Sequence, residues 1–205
     1  MIEAAKAALL LVDVQNDFCA GGSLEVPSAE RVFSPLNRYI DEAVNHHLAV
    51  YASRDWHPAV SSHFRQFGGP WPPHCVQGTP GARFHPDIHL PSTVIVITKG
   101  EDFASSGYSD LEGHTSEGTP FLEDLRARGI SHLYVGGIAT EYCVRYTVVD
   151  ALAAGLRVTV LSDAIAGIDA EDSERALAEM LEGGAEFAVG PGLFRDSDRS
   201  LRSGR

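Results

Sequence analysis

A cysteine at a predicted strand-to-helix turn is the residue of this sequence best suited to act as a nucleophile. Cys143 lies in the segment 136–144, which follows the short apolar run 132–135. After it, apolar residues recur every three or four positions, as they do on one face of a helix. Free N–H groups and the positive end of the helix dipole favour a thiolate at such a turn. We therefore expect a lowered pKa for Cys143, although a small core cysteine is the other interpretation of this residue taken alone.

Two charged residues that directly follow apolar or β-branched runs could activate this cysteine. Asp13 could accept the thiol proton, and Lys99 could hold the Asp13 carboxylate and stabilise an anionic Cys143. A turn residue and a solvated surface lysine are the other interpretations of these two positions. The backbone N–H groups of the turn around Ala139 and Cys143 could bind a tetrahedral oxyanion, so together these parts suit attack on a small amide.

A long loop rich in Pro, Gly and His, from Asp55 to about residue 91, carries a second group of candidate ligands. Asp55 and His57 are two residues apart, so in an extended segment they point the same way and can hold one ion. His63 and His74 follow in the same loop. A carboxylate with neutral imidazoles suits zinc, iron or manganese, and the pattern does not rank these metals. Two further histidines leave the ligand set open at this point: His85 and His89.

Predicted strands alternate with predicted helices along the whole chain. The strands cover residues 8–12, 48–53, 93–98, 132–135, 157–161 and 186–189. The helices begin at Ser34 as N-cap and Pro35 as first residue, at Thr119 and Pro120, near Cys143, and after an Asp169 N-cap. This alternation predicts a three-layer α/β/α fold with a mainly parallel six-stranded sheet. Ligands bind at the carboxyl ends of such strands, which is where the candidate residues lie: Asp13, Asp55, Lys99 and Cys143.

Length and composition predict a single domain over residues 1–195, followed by a polar tail at 196–205. The formal net charge of -12 argues against nucleic acid or an anionic membrane as partner. No apolar run approaches a membrane span, and the N-terminus lacks the layout of a signal peptide. The three widely spaced cysteines are therefore expected as reduced thiols in the cytoplasm. These features are compatible with a homo-oligomer and do not determine the oligomeric state.

Five motifs, in this order, resemble those of the nicotinamidase/pyrazinamidase family, a branch of the isochorismatase-like cysteine hydrolases. They are Asp-Val-Gln-Asn-Asp-Phe at 13–18, Asp-Trp-His-Pro at 55–58, Trp-Pro-Pro-His-Cys-Val at 71–76, Lys-Gly at 99–100 and Ala-Thr-Glu-Tyr-Cys-Val at 139–144. The resemblance covers nearly the whole chain and implies an isochorismatase-like, Rossmann-like fold. One departure is Glu141, which stands where Asp is common in the family.

The resemblance also implies a role for each residue of the motifs. The catalytic triad would be Cys143, Asp13 and Lys99. The divalent metal would be held by Asp55, His57 and His74, with His63 as an additional ligand in some members. The oxyanion hole would come from the N–H groups of Ala139 and Cys143, next to a cis peptide between Ile138 and Ala139. The nicotinamide pocket would be lined by Phe18, Trp71, Tyr108 and Ile138.

The implied reaction is hydrolysis of nicotinamide to nicotinic acid and ammonia through a thioester on Cys143, with pyrazinamide as a further candidate substrate. In this scheme the metal binds the pyridine nitrogen and orients the ring. Three alternatives remain at this point. The chain could be another small-amide cysteine hydrolase of the same family, a hydrolase in which a metal-bound hydroxide attacks and Cys143 is a bystander, or a binding module that kept the fold. The intact triad argues against the last alternative.

Overall fold

A seven-stranded sheet organises the described part of the chain, residues 6–194 of a computed structural model. Its strands are β1 (Lys6–Val12), β2 (Ala49–Asp55), β3 (Ile95–Lys99), β4 (His114–Thr115), β5 (Ile130–Ile138), β6 (Arg157–Ala166) and β7 (Glu186–Ala188). The spatial order is β4-β3-β2-β1-β5-β6-β7. All neighbouring strands are parallel except β3 and β4, which pair antiparallel.

Four α-helices and one π-helical turn connect and cover these strands. They are α1 (Phe33–Asn45), α2 (Phe121–Ala127), the π turn (Thr140–Val144), α3 (Arg145–Ala153) and α4 (Ala170–Glu182). Short 3₁₀ helices lie at Asn16–Phe18, Ala29–Val32, Arg65–Phe67 and Asp110–Glu112. None of the helices within residues 6–194 has the length and apolar character of a membrane-spanning segment.

The central strand β1 separates two hydrophobic cores. Its residues Leu9 and Leu11 pack in one core, whereas Leu10 and Val12 pack in the other, because successive side chains of a strand point to opposite faces. Helix α1 covers the first face, and helices α2, α3 and α4 contribute their buried residues to the second. Burial on both faces explains why β1 reads as an unbroken apolar run.

The predicted α/β fold and its mainly parallel sheet are confirmed, and each of the six predicted strands is present. The predicted strand number is wrong by one, because the sheet also contains the antiparallel edge strand β4. Its two residues are too few to show any periodicity. The predicted N-cap at Ser34 is also wrong, since a 3₁₀ helix at Ala29–Val32 leads directly into α1 and Ser34 is already helical. Asp169 does cap α4, accepting a hydrogen bond from the Asp172 N–H at 2.9 Å.

The long loop between β2 and β3 is present and contains only the 3₁₀ helix at Arg65–Phe67. Cys19, Cys75 and Cys143 are all buried and free. The predicted polar tail at 196–205 lies outside the described residues.

Candidate functional site

Four neighbouring strands, β3, β2, β1 and β5, end at the same edge of the sheet. The register pairs Asp55 with Lys99 at the ends of β2 and β3, and Val12 with Gly137 near the ends of β1 and β5. Because the strands are parallel and adjacent, the residues at and just beyond their ends converge on one place. The sequence-predicted reactive residues are therefore brought together by the topology of the sheet.

Lys99 joins Asp13 and Cys143 into one buried group. Its Nζ donates a hydrogen bond to Asp13 Oδ2 at 2.5 Å and to the Gly107 carbonyl at 2.6 Å, and it lies 3.5 Å from Cys143 Sγ. All three residues of the group are at most 6% exposed. The second oxygen of Asp13 accepts a hydrogen bond from the Ser53 hydroxyl at 2.8 Å, which fixes the carboxylate next to the thiol.

Burial dominates the protonation of this group. It raises the pKa of the Asp13 carboxyl above its ordinary value, although Lys99 opposes the shift. Burial also raises the pKa of the Cys143 thiol, and Asp13 and Asp55 add to the effect against the opposing charge of Lys99. The expected low pKa of Cys143 is therefore wrong, because desolvation by the folded chain outweighs the helix terminus and the lysine. The two shifts favour a neutral thiol in the resting site and increase the basicity of Asp13.

The same lysine reaches two further carboxyl groups. Lys99 Nζ donates to Asp55 Oδ1 at 2.7 Å and lies 3.7 Å from Asp110 Oδ1. Burial opposes ionisation of Asp55, but Lys99 and His57 outweigh it and lower the pKa of this carboxyl. Asp110 is fully buried, and neither of its carboxyl oxygens has a hydrogen-bond partner among residues 6–194. Burial raises its pKa well above the ordinary value. No pattern in the sequence marks Asp110, which lies in the short 3₁₀ helix that precedes β4.

The histidine-rich loop places three imidazoles beside Asp55. Each of His57, His63 and His74 offers a ring nitrogen within 4.8 Å of the others, and all three residues are buried. Asp55 Oδ2 lies 3.5 Å from His57 Nε2 and 3.9 Å from His74 Nε2. The two other histidines of the loop stand apart: His85 packs on Phe33, and His89 is exposed.

Hydrogen bonds of the imidazoles test whether this cluster fits a metal. His57 Nδ1 contacts the Gly100 carbonyl at 3.0 Å, and His74 Nδ1 contacts the Pro72 carbonyl at 2.8 Å. Each contact uses Nδ1 as the donor and leaves Nε2 as a lone-pair ligand, the arrangement usual for metal-bound histidine. His57 Nε2 is buried and has no hydrogen-bond partner in the described part of the chain. Burial lowers the pKa of His63 to about 4, which keeps it neutral as metal binding requires. The donor set therefore fits one divalent metal ion.

Gln15 holds the backbone of Asp55, the last residue of β2, in place. Its amide nitrogen donates to the Asp55 carbonyl at 2.8 Å, and its amide oxygen accepts from the Asp55 N–H at 2.8 Å. The same nitrogen also donates to the Ala82 carbonyl at 2.9 Å, so one buried side chain ties β2 to the long loop. Sequence reasoning gave Gln15 no role, although it stands in the polar cluster that follows β1.

The turn that carries the nucleophile runs from a cis peptide between Ile138 and Ala139 into the π turn. The Ala139 carbonyl accepts hydrogen bonds from the N–H groups of Tyr142 and Val144, both at 3.1 Å. Cys143 thus lies within the π turn that leads into α3, and π turns are frequent at functional sites.

A cavity opens beside Cys143 and the metal-ligand cluster. Phe18, Trp71 and Tyr108 line it as expected, and the Trp71 indole donates a hydrogen bond to the Tyr108 hydroxyl at 2.9 Å. Ile138 does not line it: this side chain is fully buried in the core, and its neighbour Ala139 faces the cavity instead. Sequence reasoning missed four lining residues: Leu24, Val26, Tyr142 and Ile168.

Comparisons with known proteins agree with this geometry. The isochorismatase domain pattern matches residues 7–189. The nicotinamidase/pyrazinamidase of Mycobacterium tuberculosis is 43% identical over 183 residues, which are 88% of this chain and 97% of that protein. The pyrazinamidase of Pyrococcus horikoshii, solved in complex with zinc, aligns with a TM-score of 0.84 at 42% identity, covering 90% of this chain and 99% of that one. PnC1 from L. infantum, solved in complex with nicotinate, aligns with a TM-score of 0.82 at 31% identity, covering 92% and 95%.

Proposed function

The chain belongs to the isochorismatase domain family, and we propose that it hydrolyses nicotinamide to nicotinic acid and ammonia. One observation carries the proposal. A buried Cys143–Asp13–Lys99 group and a histidine–carboxylate cluster share one cavity, and aromatic side chains that suit a small aromatic ligand line it. Relatives named for this reaction match nearly the whole chain.

The first half of the proposed reaction forms a thioester. Asp13 takes the thiol proton as Cys143 Sγ bonds to the carboxamide carbon, and Lys99 stabilises the negative charge that develops. The N–H groups of Ala139 and Cys143 donate to the oxyanion of the tetrahedral intermediate. Asp13 then returns its proton to the leaving nitrogen, the carbon–nitrogen bond breaks, and ammonia departs.

The second half restores the free thiol. Asp13 takes a proton from a water molecule that attacks the thioester carbon, and the carbon–sulfur bond breaks. The proton passes back to the Cys143 sulfur, and nicotinic acid is released. The raised pKa of Asp13 suits both halves, because a carboxylate of increased basicity accepts these protons more readily.

Asp55, His57, His63 and His74 would hold a divalent ion that, when bound, coordinates the pyridine nitrogen and orients the ring. Zinc is the identity we favour among zinc, iron and manganese, because the donor set suits it and the Pyrococcus horikoshii relative was solved with zinc. Phe18, Trp71 and Tyr108 would enclose the aromatic ring, which extends the same chemistry to pyrazinamide.

The proposal is tested by measuring ammonia release from a panel of small amides by the metal-loaded protein. We expect nicotinamide to be hydrolysed with the highest kcat/KM, and Cys143→Ala to abolish the release. No ammonia from nicotinamide above the blank, together with turnover of another amide, would contradict the assignment. A bystander role for Cys143 is disfavoured by its contact with Lys99 and its place on the cavity wall.

A further inference from the structure

Glu141 is a buried carboxylate of the nucleophile turn that makes no contact with the triad in the described chain. Its Oε1 accepts hydrogen bonds from the N–H groups of Ile168 at 2.8 Å and Asp169 at 2.9 Å, and its Oε2 accepts from the Ser173 hydroxyl at 3.2 Å. The residue is 6% exposed, and no salt bridge involves it within residues 6–194. Two backbone donors and one hydroxyl therefore compensate its burial.

The donors lie at the junction between β6 and α4. Asp169 is the N-cap of α4, a helix of 13 residues, so the Glu141 carboxylate lies at the positive end of the helix dipole. Gly167 leaves room for this approach, because a Cβ at that position would overlap both Glu141 Oε2 and Ser173 Oγ. The backbone of the junction is thus shaped to receive this carboxylate.

The contact joins two parts of the cavity wall. Glu141 stands two residues from both Ala139 and Cys143, whereas Ile168 belongs to the connection that follows the neighbouring strand. Ala139, Cys143 and Ile168 all line the cavity. The Glu141 side chain therefore links the nucleophile turn directly to the backbone of the cavity-wall residue Ile168.

We propose that Glu141 is a positioning residue that holds the Ala139 and Cys143 N–H groups against the Ile168 wall, and so fixes the substrate carboxamide relative to the nucleophile. The inference rests on the proposed function, since it assigns those N–H groups to the oxyanion. The proposed role predicts different effects on two reactions of the site, amide hydrolysis and alkylation of Cys143. Hydrolysis of an amide needs the aligned N–H groups, whereas alkylation of Cys143 by iodoacetamide needs only the thiol, Asp13 and Lys99.

The test compares Glu141→Ala, Glu141→Gln and Ser173→Ala in two assays, ammonia release from nicotinamide and the rate of Cys143 alkylation by iodoacetamide. We expect Glu141→Ala to lower kcat/KM by about tenfold to a hundredfold, because small displacements of a bound substrate have effects of this size. Its alkylation rate should equal that of the wild type. Glu141→Gln should keep most of the activity, because its amide oxygen can still accept from both backbone N–H groups. Ser173→Ala, which removes only the hydroxyl, should have a smaller effect than Glu141→Ala.

Two results would overturn the inference. One is a Glu141→Ala protein with the kcat/KM of the wild type. The other is an equal loss of hydrolysis and alkylation, which would indicate a general structural role. If Glu141→Ala does not fold, Gly167→Ala provides the second variant, since its methyl group displaces the same carboxylate and should also lower hydrolysis alone. Turnover of nicotinamide by the wild type tests the proposed function separately; if another amide is the substrate, the same variants are compared on that amide.

Discussion

Lys99 donates a hydrogen bond to Asp55 at 2.7 Å with the same ammonium group that binds Asp13 at 2.5 Å. One cation therefore serves the proton acceptor of the nucleophile and the carboxylate that faces the histidine cluster. The two carboxylates outweigh the desolvation of the lysine and raise its pKa well above the ordinary value, which favours the charged ammonium. The thiol chemistry and the proposed metal centre share this charge.

Lys99→Met should lower kcat/KM on the order of 10²–10⁴-fold, because methionine keeps the length of the side chain but removes the charge that stabilises Asp13 and the developing thiolate. Metal content should stay at the wild-type level, since Asp55 and the three histidines remain. Steady-state kinetics and metal analysis of the same preparation measure both. Loss of metal in step with activity would show that the lysine acts mainly on the metal centre.

Asp110→Asn should retain most of the activity. Burial raises the pKa of Asp110 well above its ordinary value and so favours the neutral acid, which asparagine replaces with a neutral side chain of the same shape. Asp13→Asn, the matched substitution on the other side of Lys99, should be inactive. A large loss of kcat/KM in Asp110→Asn, or a shift of its pH profile, would indicate that Asp110 is ionised.

His57→Ala should release the metal and raise KM for nicotinamide, because the ring loses the group that orients it. Misplacement of the ring should lower kcat as well. Alkylation of Cys143 by iodoacetamide should persist, which would separate ring binding from thiol activation. His89→Ala is the control, since this exposed histidine of the same loop lies outside the cluster. Normal KM in metal-free His57→Ala would contradict the proposed role of the metal.

Iodoacetamide should label Cys143 before Cys19 or Cys75, because Cys143 alone among the three lines the cavity of the described chain. The alkylation rate of Cys143 should keep rising with pH beyond the pKa of an ordinary thiol. Burial raises the pKa of Cys143, so the reactive thiolate forms only as the pH increases towards that raised value. Nicotinamide should protect. Labelling that is already maximal at neutral pH would show a thiolate in the resting site.

The site residues that lie at strand ends could be predicted from the sequence. Asp13, Asp55 and Lys99 each end or follow a strand, and parallel neighbours bring such residues to one edge whatever the details of packing. The loop residues His57, His63 and His74 were predicted from their residue types and the family motifs. Loop residues outside those motifs escaped prediction, because no periodicity encodes where a loop returns. Ile168, which lines the cavity, and Asp110, which lies near Lys99, are examples. Neither position can be deduced without the fold.

The protonation of Cys143 illustrates a second limit. Its position at the start of a helix favours a thiolate, and so does the positive charge expected from Lys99. The degree of burial comes from residues distant in the chain, and it reverses the direction of the pKa shift. The predicted role of Ile138 failed for a related reason, since which of two adjacent residues faces the cavity depends on the path of the backbone at the end of β5.

The most direct test of the thioester mechanism is a search for an acyl group on Cys143. The metal-loaded protein is mixed with nicotinamide under single-turnover conditions, quenched rapidly in acid and digested, and the peptide that carries Cys143 is weighed by mass spectrometry. The thioester mechanism predicts a nicotinoyl adduct on this peptide that appears and decays within one turnover, and a Cys143→Ala protein whose kcat is lower by a factor on the order of 10⁴–10⁶. An unmodified peptide throughout the turnover, together with a Cys143→Ala protein that still releases ammonia, would contradict it.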